Sequence, residues 1–297
     1  MSEIKTICVV VSFNPPTENF KEKMLSIVAN ASLIVVDNGS NNAESLKQIV
    51  ESIDGLFLPL AENLGIAHAQ NVGINQALVL KADFVWLSDQ DTYYEADFLS
   101  NMLSFYDALP AELQQRVGVI GPSIFDTTKN AIQDFVVLDP AFKSVPVTDK
   151  VHYPTHIIAS GMLIPSHVFA KVGFKNEALF IDWVDFEWCW RARSQGLEVL
   201  QAGEVFVTHA LGDGVSSIAG REVVHRSAAR HYFMVRNEIF LGLRCDLIPL
   251  MARVVMILRP LRRILIMPFL TDSFFKYFGL GLKGLWHALL GRLGPLK

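Results

Sequence analysis

Four short apolar runs, each ended abruptly by polar or turn-forming residues, constrain this chain more than any other feature of its sequence. Ile7–Phe13 (ICVVVSF) is continuous and β-branched, and Ser32–Val36, Gly55–Leu60 and Asp83–Leu87 follow at intervals that each leave room for a helix. None shows the polar–apolar alternation of a half-exposed strand, so they read as strands buried on both faces. Asn14-Pro15-Pro16 stops the first run. Thr17 is placed to cap a helix running to about Ala29, and Asn63-Leu64-Gly65 turns into a helix that continues through Leu80. Strand alternating with helix at this spacing predicts an α/β fold with a mostly parallel sheet flanked by helices. Val117–Pro122 and His156–Pro165 carry further strand signals.

In open α/β sheets, ligands gather beyond the carboxyl ends of the strands. Three polar clusters fall there: Ser12-Phe13-Asn14, Asp37-Asn38-Gly39-Ser40 and Asp89-Gln90-Asp91. The last is a D-x-D, whose two carboxylates can hold Mg²⁺ or Mn²⁺ while leaving positions to phosphates and water. The same tripeptide is also ordinary turn chemistry. Asp37 can accept a hydrogen bond from a nucleobase N–H or a ribose hydroxyl, and Asp-Asn-Gly-Ser also makes a turn with no ligand. The helix after Gly65 is rich in small residues (Gly65, Ala67, Ala69, Gly73). They either seat it tightly on the sheet or open its N-terminus to a diphosphate.

Further along, Phe180–Arg191 concentrates three acids and three tryptophans. Asp182, Asp185 and Trp188 have the spacing of one helical face. A poorly solvated carboxylate beside aromatic rings suits a general base. His209 follows the apolar run Val205–Val207 and can complete a metal site with Asp91. Arg230 and Arg236 lie on one expected helix, where an arginine can grip a diphosphate bidentately. Gly279–Gly284 matches G-x-G-x-x-G, but no strand–helix–strand unit surrounds it.

The apolar excess and the positive charge sit together at the C-terminal end. The 297 residues carry a formal charge of −4, which argues against a nucleic-acid partner on overall charge. From Arg244 onward, nine basic residues face two acidic ones, a local +7, against −11 for the preceding part. The mean hydropathy of +0.31 over the whole chain is high for a soluble enzyme, and the apolar excess sits here. Arg259, Pro260, Arg262 and Arg263 interrupt the apolar stretches, so none reaches the roughly 20 residues needed to span a bilayer. The expected organisation is residues 1–240 as one domain and 241–297 as a basic, apolar helical segment. That segment would lie on an anionic membrane surface or pair with a second copy. Three scattered cysteines and no signal-peptide layout point to a reducing, cytoplasmic setting on the inner membrane face.

Seven motifs in order — VVVSFN, VDNGS, NLGIAHAQNVGI, WLSDQD, SGMLIP, DWVDFEWCWRA and HALGDG — resemble those of inverting family 2 glycosyltransferases with a GT-A fold. The likeness covers residues 4–240, and within the family it is to bacterial rhamnosyltransferases. It implies that Asp37 binds the nucleobase, that Asp89 and Asp91 form the D-x-D, and that His209 is a second metal ligand beside Asp91. Asp185 would be the acceptor-activating base, matching the second letter of the family's Glu-Asp element, with Glu187 as the neighbouring alternative. Asn14, Gly65 and Arg236 complete the expected donor site. The resemblance implies transfer of a sugar, L-rhamnose from dTDP-rhamnose, to a glycan or lipid-linked acceptor. A UDP-sugar donor and a non-catalytic nucleotide-binding scaffold are the alternatives. A sugar nucleotidyltransferase would need a Gly-rich, basic loop where Asn14-Pro15-Pro16 stands.

Overall fold

The structure, a computed structural model, describes residues 4–126, 130–209, 215–218, 221–224, 227–271 and 273–296, without the side chains of 209–226. The four apolar runs form parallel strands: β1 (Thr6–Ser12), α1 (Thr17–Val28), β2 (Ser32–Asp37), α2 (Ala43–Glu51), β3 (Leu56–Pro59), α3 (Ile66–Val79) and β4 (Phe84–Asp89) alternate as expected. Pro16 occupies the N-cap of α1 without a side-chain bond, and Thr17 is the first helical residue rather than its cap. After α4 (Phe98–Asp107) and α5 (Ala111–Gln114) come β5 (Val117–Asp126), β6 (Ala131–Ile132), β7 (Phe135–Leu138), β8 (Phe142–Val145), β9 (Val151–His152) and β10 (Met162–Pro165). Then follow α6 (Val168–Val172), a 3-10 turn at Glu177–Leu179, α7 (Val184–Ser194), β11 (Glu198–His209), β12 (Val215–Ile218) and β13 (Arg221–Val224). The helices α8 (Ala228–Arg244), α9 (Leu250–Ile266) and α10 (Phe274–Leu290) end the fold.

The main sheet runs in the order β3-β2-β1-β4-β10-β5-β11-β9, with β6 paired to β5. β10 lies antiparallel between β4 and β5, and β9 antiparallel on β11, so the sheet is mixed. Only Met162–Pro165 of the expected His156–Pro165 strand is extended in the sheet. Side chains of β1 alternate between the two faces: Cys8 and Val10 enter one core with α1 and α2, Ile7 and Val9 the other with α3 and α7. A third core, with Leu179, Val184, Trp190, Leu241 and Met256, lies under the C-terminal helices.

Residue 240, the expected domain limit, falls inside α8. The tail therefore shares a helix and a core with what precedes it. Glu238, buried on α8, accepts hydrogen bonds from Arg259 and Arg263 of α9. Arg253 donates to the carbonyls of Gly242 and Leu243, and Arg244 to those of Ala288 and Leu289. Four of the tail's basic residues thus join helix to helix.

Gly73 shows how closely α3 meets the sheet. A Cβ there would stand 2.2 Å from Val9 Cγ1. Gly73→Ala is expected to lower stability by about 1–3 kcal/mol through overpacking, read as a lower urea midpoint at unchanged slope.

Candidate active site

Strand register brings the three polar clusters together. Ser12 pairs with Asp37 across β1 and β2, and Val11 with Asp89 across β1 and β4. Asp37 is fully buried: its Oδ1 accepts from the Ser12 and Ser40 hydroxyls at 2.9 and 2.5 Å, and its Oδ2 from the Ser40 N–H at 2.9 Å. Asn14, with φ 48°, donates its N–H to Ser40 Oγ and accepts from the Asn41 N–H at 2.8 Å. The loops after β1 and β2 are thereby one unit. Phe13, between Ser12 and Asn14, leaves its ring 44% exposed.

Gln90, the middle letter of the D-x-D, accepts from the Phe13 N–H at 2.8 Å and fixes the motif to β1. Asp89 Oδ2 accepts a hydrogen bond from Ser160, just ahead of β10. Asp91 is exposed and takes no hydrogen bond among the described residues. A backbone bridge between Tyr93 and Thr208 brings the end of β11, and so the backbone of His209, to the loop that follows Asp91. The His209 side chain and the rest of HALGDG lie outside the described residues. Among the described residues no three His, Cys, Asp or Glu side chains converge as a cage. Hard carboxylate oxygens on one loop, one of them exposed, nonetheless fit Mg²⁺ or Mn²⁺, which fill their other positions with water and phosphate oxygens.

Two expected ligand contacts are corrected. Gly65, the N-cap of α3 at φ 93°, is where a Cβ would stand 2.6 Å from the Phe180 carbonyl oxygen. The first helical N–H, that of Ile66, donates to that carbonyl at 2.8 Å. Phe180 thus covers the helix start that a diphosphate was expected to use, and Gly65 is a packing glycine. Arg236 is fully buried and donates to Asn237 Oδ1 and to the carbonyls of Leu179 and Gly294. It joins α8 to the chain on either side of the site and offers nothing to a diphosphate. Arg230, one and a half turns earlier, is the partly exposed one and pairs with Asp182 at 3.2 Å.

Asp182, Asp185 and Trp188 do not share a helical face. α7 begins only at Val184, and Phe180, Asp182 and Trp183 ahead of it are left-handed, with φ 68°, 63° and 68°. Glu187 is taken by Arg191, whose guanidinium also donates to the carbonyls of Val172 and Phe174. That pair staples α6 to α7. Asp185, in the first turn of α7, is partly exposed; its Oδ1 accepts from Lys175 Nζ at 2.9 Å, and its Oδ2 has no partner among the described residues. Of the two alternatives for a base, the geometry leaves a free oxygen on Asp185.

A cavity of about 130 Å³ lies between Ser160 and Phe186, with Pro122, Phe135 and His156 in its walls. It therefore adjoins both the serine that holds Asp89 and the helix that carries Asp185. Sequence reasoning passed over Lys175, whose Gly-Phe-Lys-Asn setting looks like a solvated turn. It gave no separate role to Phe13, Gln90 or Ser160, although their motifs were visible.

Residues 8–157 match glycosyl transferase family 2, and the chain belongs to that family. It is 30% identical over 256 residues to the dTDP-rhamnosyl transferase RfbF of Shigella flexneri, covering 83% of this chain and 82% of the relative. The fold is similar to the mannosyltransferase PcManGT of Pyrobaculum calidifontis, solved with GDP-Man and Mn²⁺ (TM-score 0.56, 14% identity, 96% of this chain and 75% of that one). It is also similar to GalNAc-T7, solved with UDP, GalNAc and Mn²⁺ (TM-score 0.54, 14% identity, 80% of this chain). The likeness spans about half (51%) of the latter's length. The fold is thus the GT-A fold that the motif order implied.

His156 stacks on Phe186 at 3.6 Å between ring centroids. Burial, with the charge of Arg259, pushes its imidazole down to about 3. The folded protein therefore keeps it neutral where the unfolded chain, titrating near 6.5, binds a proton. Stability must fall as pH drops from about 6.5 toward 3, by at most about 1.4 kcal/mol per unit from this group. Urea denaturation of His156→Phe at pH 7.5 and 5 is expected to show a smaller loss between the two than wild type does.

Proposed function

We propose that this protein transfers L-rhamnose from dTDP-L-rhamnose to a hydroxyl of a cell-surface glycan or lipid-linked acceptor, inverting the anomeric carbon. The observation that carries the chemistry is Asp185, a carboxylate with one oxygen held by Lys175 and the other without a partner among the described residues, on the helix that supplies Phe186 to the cavity wall. The rhamnosyl donor is supported by the 30% identity to RfbF along most of both chains.

On this reading the Phe13 ring stacks on the nucleobase, and the joined loops carrying Asn14 and Asp37 form the wall behind it. Asp37, fully buried, serves that wall by holding Ser12 and Ser40 in place. Asp91 and His209 would hold Mg²⁺ or Mn²⁺, which neutralises the charge on the departing diphosphate when bound. Ser160 keeps Asp89 oriented, and Arg230 pairs with Asp182 at the entry to α7. Asp185 Oδ2 takes the proton of the acceptor hydroxyl. The acceptor oxygen, now deprotonated, forms its bond to the anomeric carbon while the carbon–oxygen bond to the diphosphate breaks, and dTDP leaves on the opposite face. The apolar walls and the ring of Phe186 suit the less polar face of a sugar.

Nucleoside-diphosphate release from a donor panel, with Mg²⁺ or Mn²⁺ and with EDTA, tests this reading. Turnover of dTDP-rhamnose that Asp91→Ala and EDTA abolish is expected. Asp185→Asn is expected to lower kcat by roughly 10²–10⁴-fold at near-normal donor affinity. Preference for a UDP-sugar would replace the donor assignment, and an active Asp185→Asn enzyme would remove the base from Asp185.

Membrane attachment on the cytoplasmic face belongs to the same reading. No helix among the described residues is long and apolar enough to cross a membrane. α9 packs inward through Ala252, Met256, Pro260 and Ile264, while Leu250, Val254, Leu258 and Leu265 form an exposed stripe on its other side. α10 does the same, with Phe275, Leu282, Trp286 and Leu289 facing out; Phe275 is 87% exposed. Arg262 and Lys276 are exposed beside these stripes. Apolar stripes edged by cations suit the interface of an anionic leaflet. In vesicle sedimentation with phosphatidylglycerol, Leu258→Glu together with Trp286→Glu is expected to weaken binding at least about tenfold, given the apolar area removed. Unchanged sedimentation would refute the attachment. A wild-type dimer that these substitutions split, with no vesicle binding, would assign the stripes to self-association instead.

A further inference from the structure

Lys175 lies between α6 and the 3-10 turn, and its side chain is wholly buried. Its Nζ donates to Asp185 Oδ1 at 2.9 Å, reaches Met162 Sδ at 3.5 Å and stands 4.8 Å from the centroid of the Trp188 ring. Its backbone is held at both ends of the residue by Asn71 of α3, which accepts from its N–H at 2.9 Å and donates to its carbonyl at 3.0 Å. Met162 begins β10 and pairs with Leu87, two residues before Asp89. One side chain therefore touches both the helix of the candidate base and the strand next to the D-x-D.

A buried ammonium is costly unless paired, and methionine or leucine would fill the same apolar surroundings without that cost. What lysine adds is a fixed cation against one oxygen of Asp185. We propose that Lys175 is a positioning residue: it fixes Oδ1 of Asp185 and so turns the second oxygen, Oδ2, toward the acceptor hydroxyl. This rests on Asp185 being the base.

The charged groups around the pair have other partners. Glu177 is engaged by His68 and Asn71 from α3, and Asp182 by Arg230 from α8. Arg191 is held by Glu187 on α7. Cys189, one turn beyond Asp185, stays a neutral thiol, pushed by burial up to about 12. Lys175 is the cation in contact with Asp185 among the described residues.

The test uses the full chain and the donor that turns over best in the panel above, with Lys175→Met, Lys175→Gln and Asp185→Asn. Lys175→Met is expected to lower kcat by roughly 10- to 100-fold, with donor KM and nucleoside-diphosphate affinity within about twofold. Lys175→Gln, which keeps a donor to Asp185 Oδ1, should recover part of that kcat loss, whereas a merely structural role would leave Lys175→Met and Lys175→Gln alike. If Lys175→Met fails to fold, Lys175→Gln alone carries the test. An unchanged kcat in a folded Lys175 variant, or kcat and KM altered together, would overturn the proposal while an inactive Asp185→Asn left the base in place. An active Asp185→Asn would show that the base reading itself had failed.

Discussion

Everything around the site depends on how the chain enters α7. Phe180, Asp182 and Trp183 are left-handed without being glycine, a conformation that costs of order 1–3 kcal/mol per residue and persists only where its surroundings enforce it. Asn237 supplies much of that enforcement. From its buried place on α8, one amide donates to the carbonyls of Leu179, Ile181 and Asp182 at 2.8, 2.8 and 3.1 Å. Arg236 grips Leu179 as well, and the Gly294 N–H donates to the Ala178 carbonyl at 2.8 Å. From the other side, Gly65 lets α3 come against Phe180, whose carbonyl receives the Ile66 N–H. The placement of Asp185 is therefore set jointly by α3, α8 and the C-terminal strap, none of which is adjacent to it in sequence.

That arrangement explains which parts of the molecule were legible in the sequence. β1 to β4 could be read because a strand buried on both faces needs an unbroken apolar run, and the clusters ending those runs had to emerge on one sheet edge. The strand ends that carry Asp37, Asp89 and Asp91 are neighbours for that reason. Arg236 was misplaced because Arg230 and Arg236 look alike on a helix until it is known which side of α8 is covered. The G-rich start of α3 supported packing and phosphate binding equally, and only the nearness of Phe180 decides for packing. The left-handed entry to α7 leaves no trace in composition, so the helix was expected to begin too early and Asp182 to sit on it. β10 was hard to place because an antiparallel strand inserted between parallel neighbours is fixed by partners far away in sequence.

The tail's charge likewise has a different meaning once folded. Its excess of +7 suggested a cationic face, yet Arg259 and Arg263 converge on buried Glu238, and Arg244 and Arg253 hold carbonyls at the ends of α10 and α8. Arg259 also lies 5.6 Å from the Trp183 ring, at the entry to α7. What the tail turns outward is mainly apolar. The proposed attachment through Leu258, Phe275 and Trp286 would accordingly depend on buried area more than on counterion screening, with Arg262 and Lys276 adding an electrostatic preference.

These internal roles bear on how surface and site can be separated. Removing residues 241–297 would strip Leu241, Cys245, Ile248, Ala252 and Met256 from the core that also holds Leu179 and Val184. It would expose Glu238 without its two arginines and release Gly294 from Ala178. A truncated chain that lost both vesicle binding and turnover would thus report a disturbed entry to α7 as readily as a missing membrane face. Substitutions confined to the outward stripe leave Ala252, Met256, Pro260 and Ile264 in place. α8 carries Asn237, whose amide holds the carbonyls of Leu179, Ile181 and Asp182, and α9 and α10 pack on the same helix. Substitutions at the stripe thus spare the entry to α7, whereas changes at α8 reach it directly through Asn237.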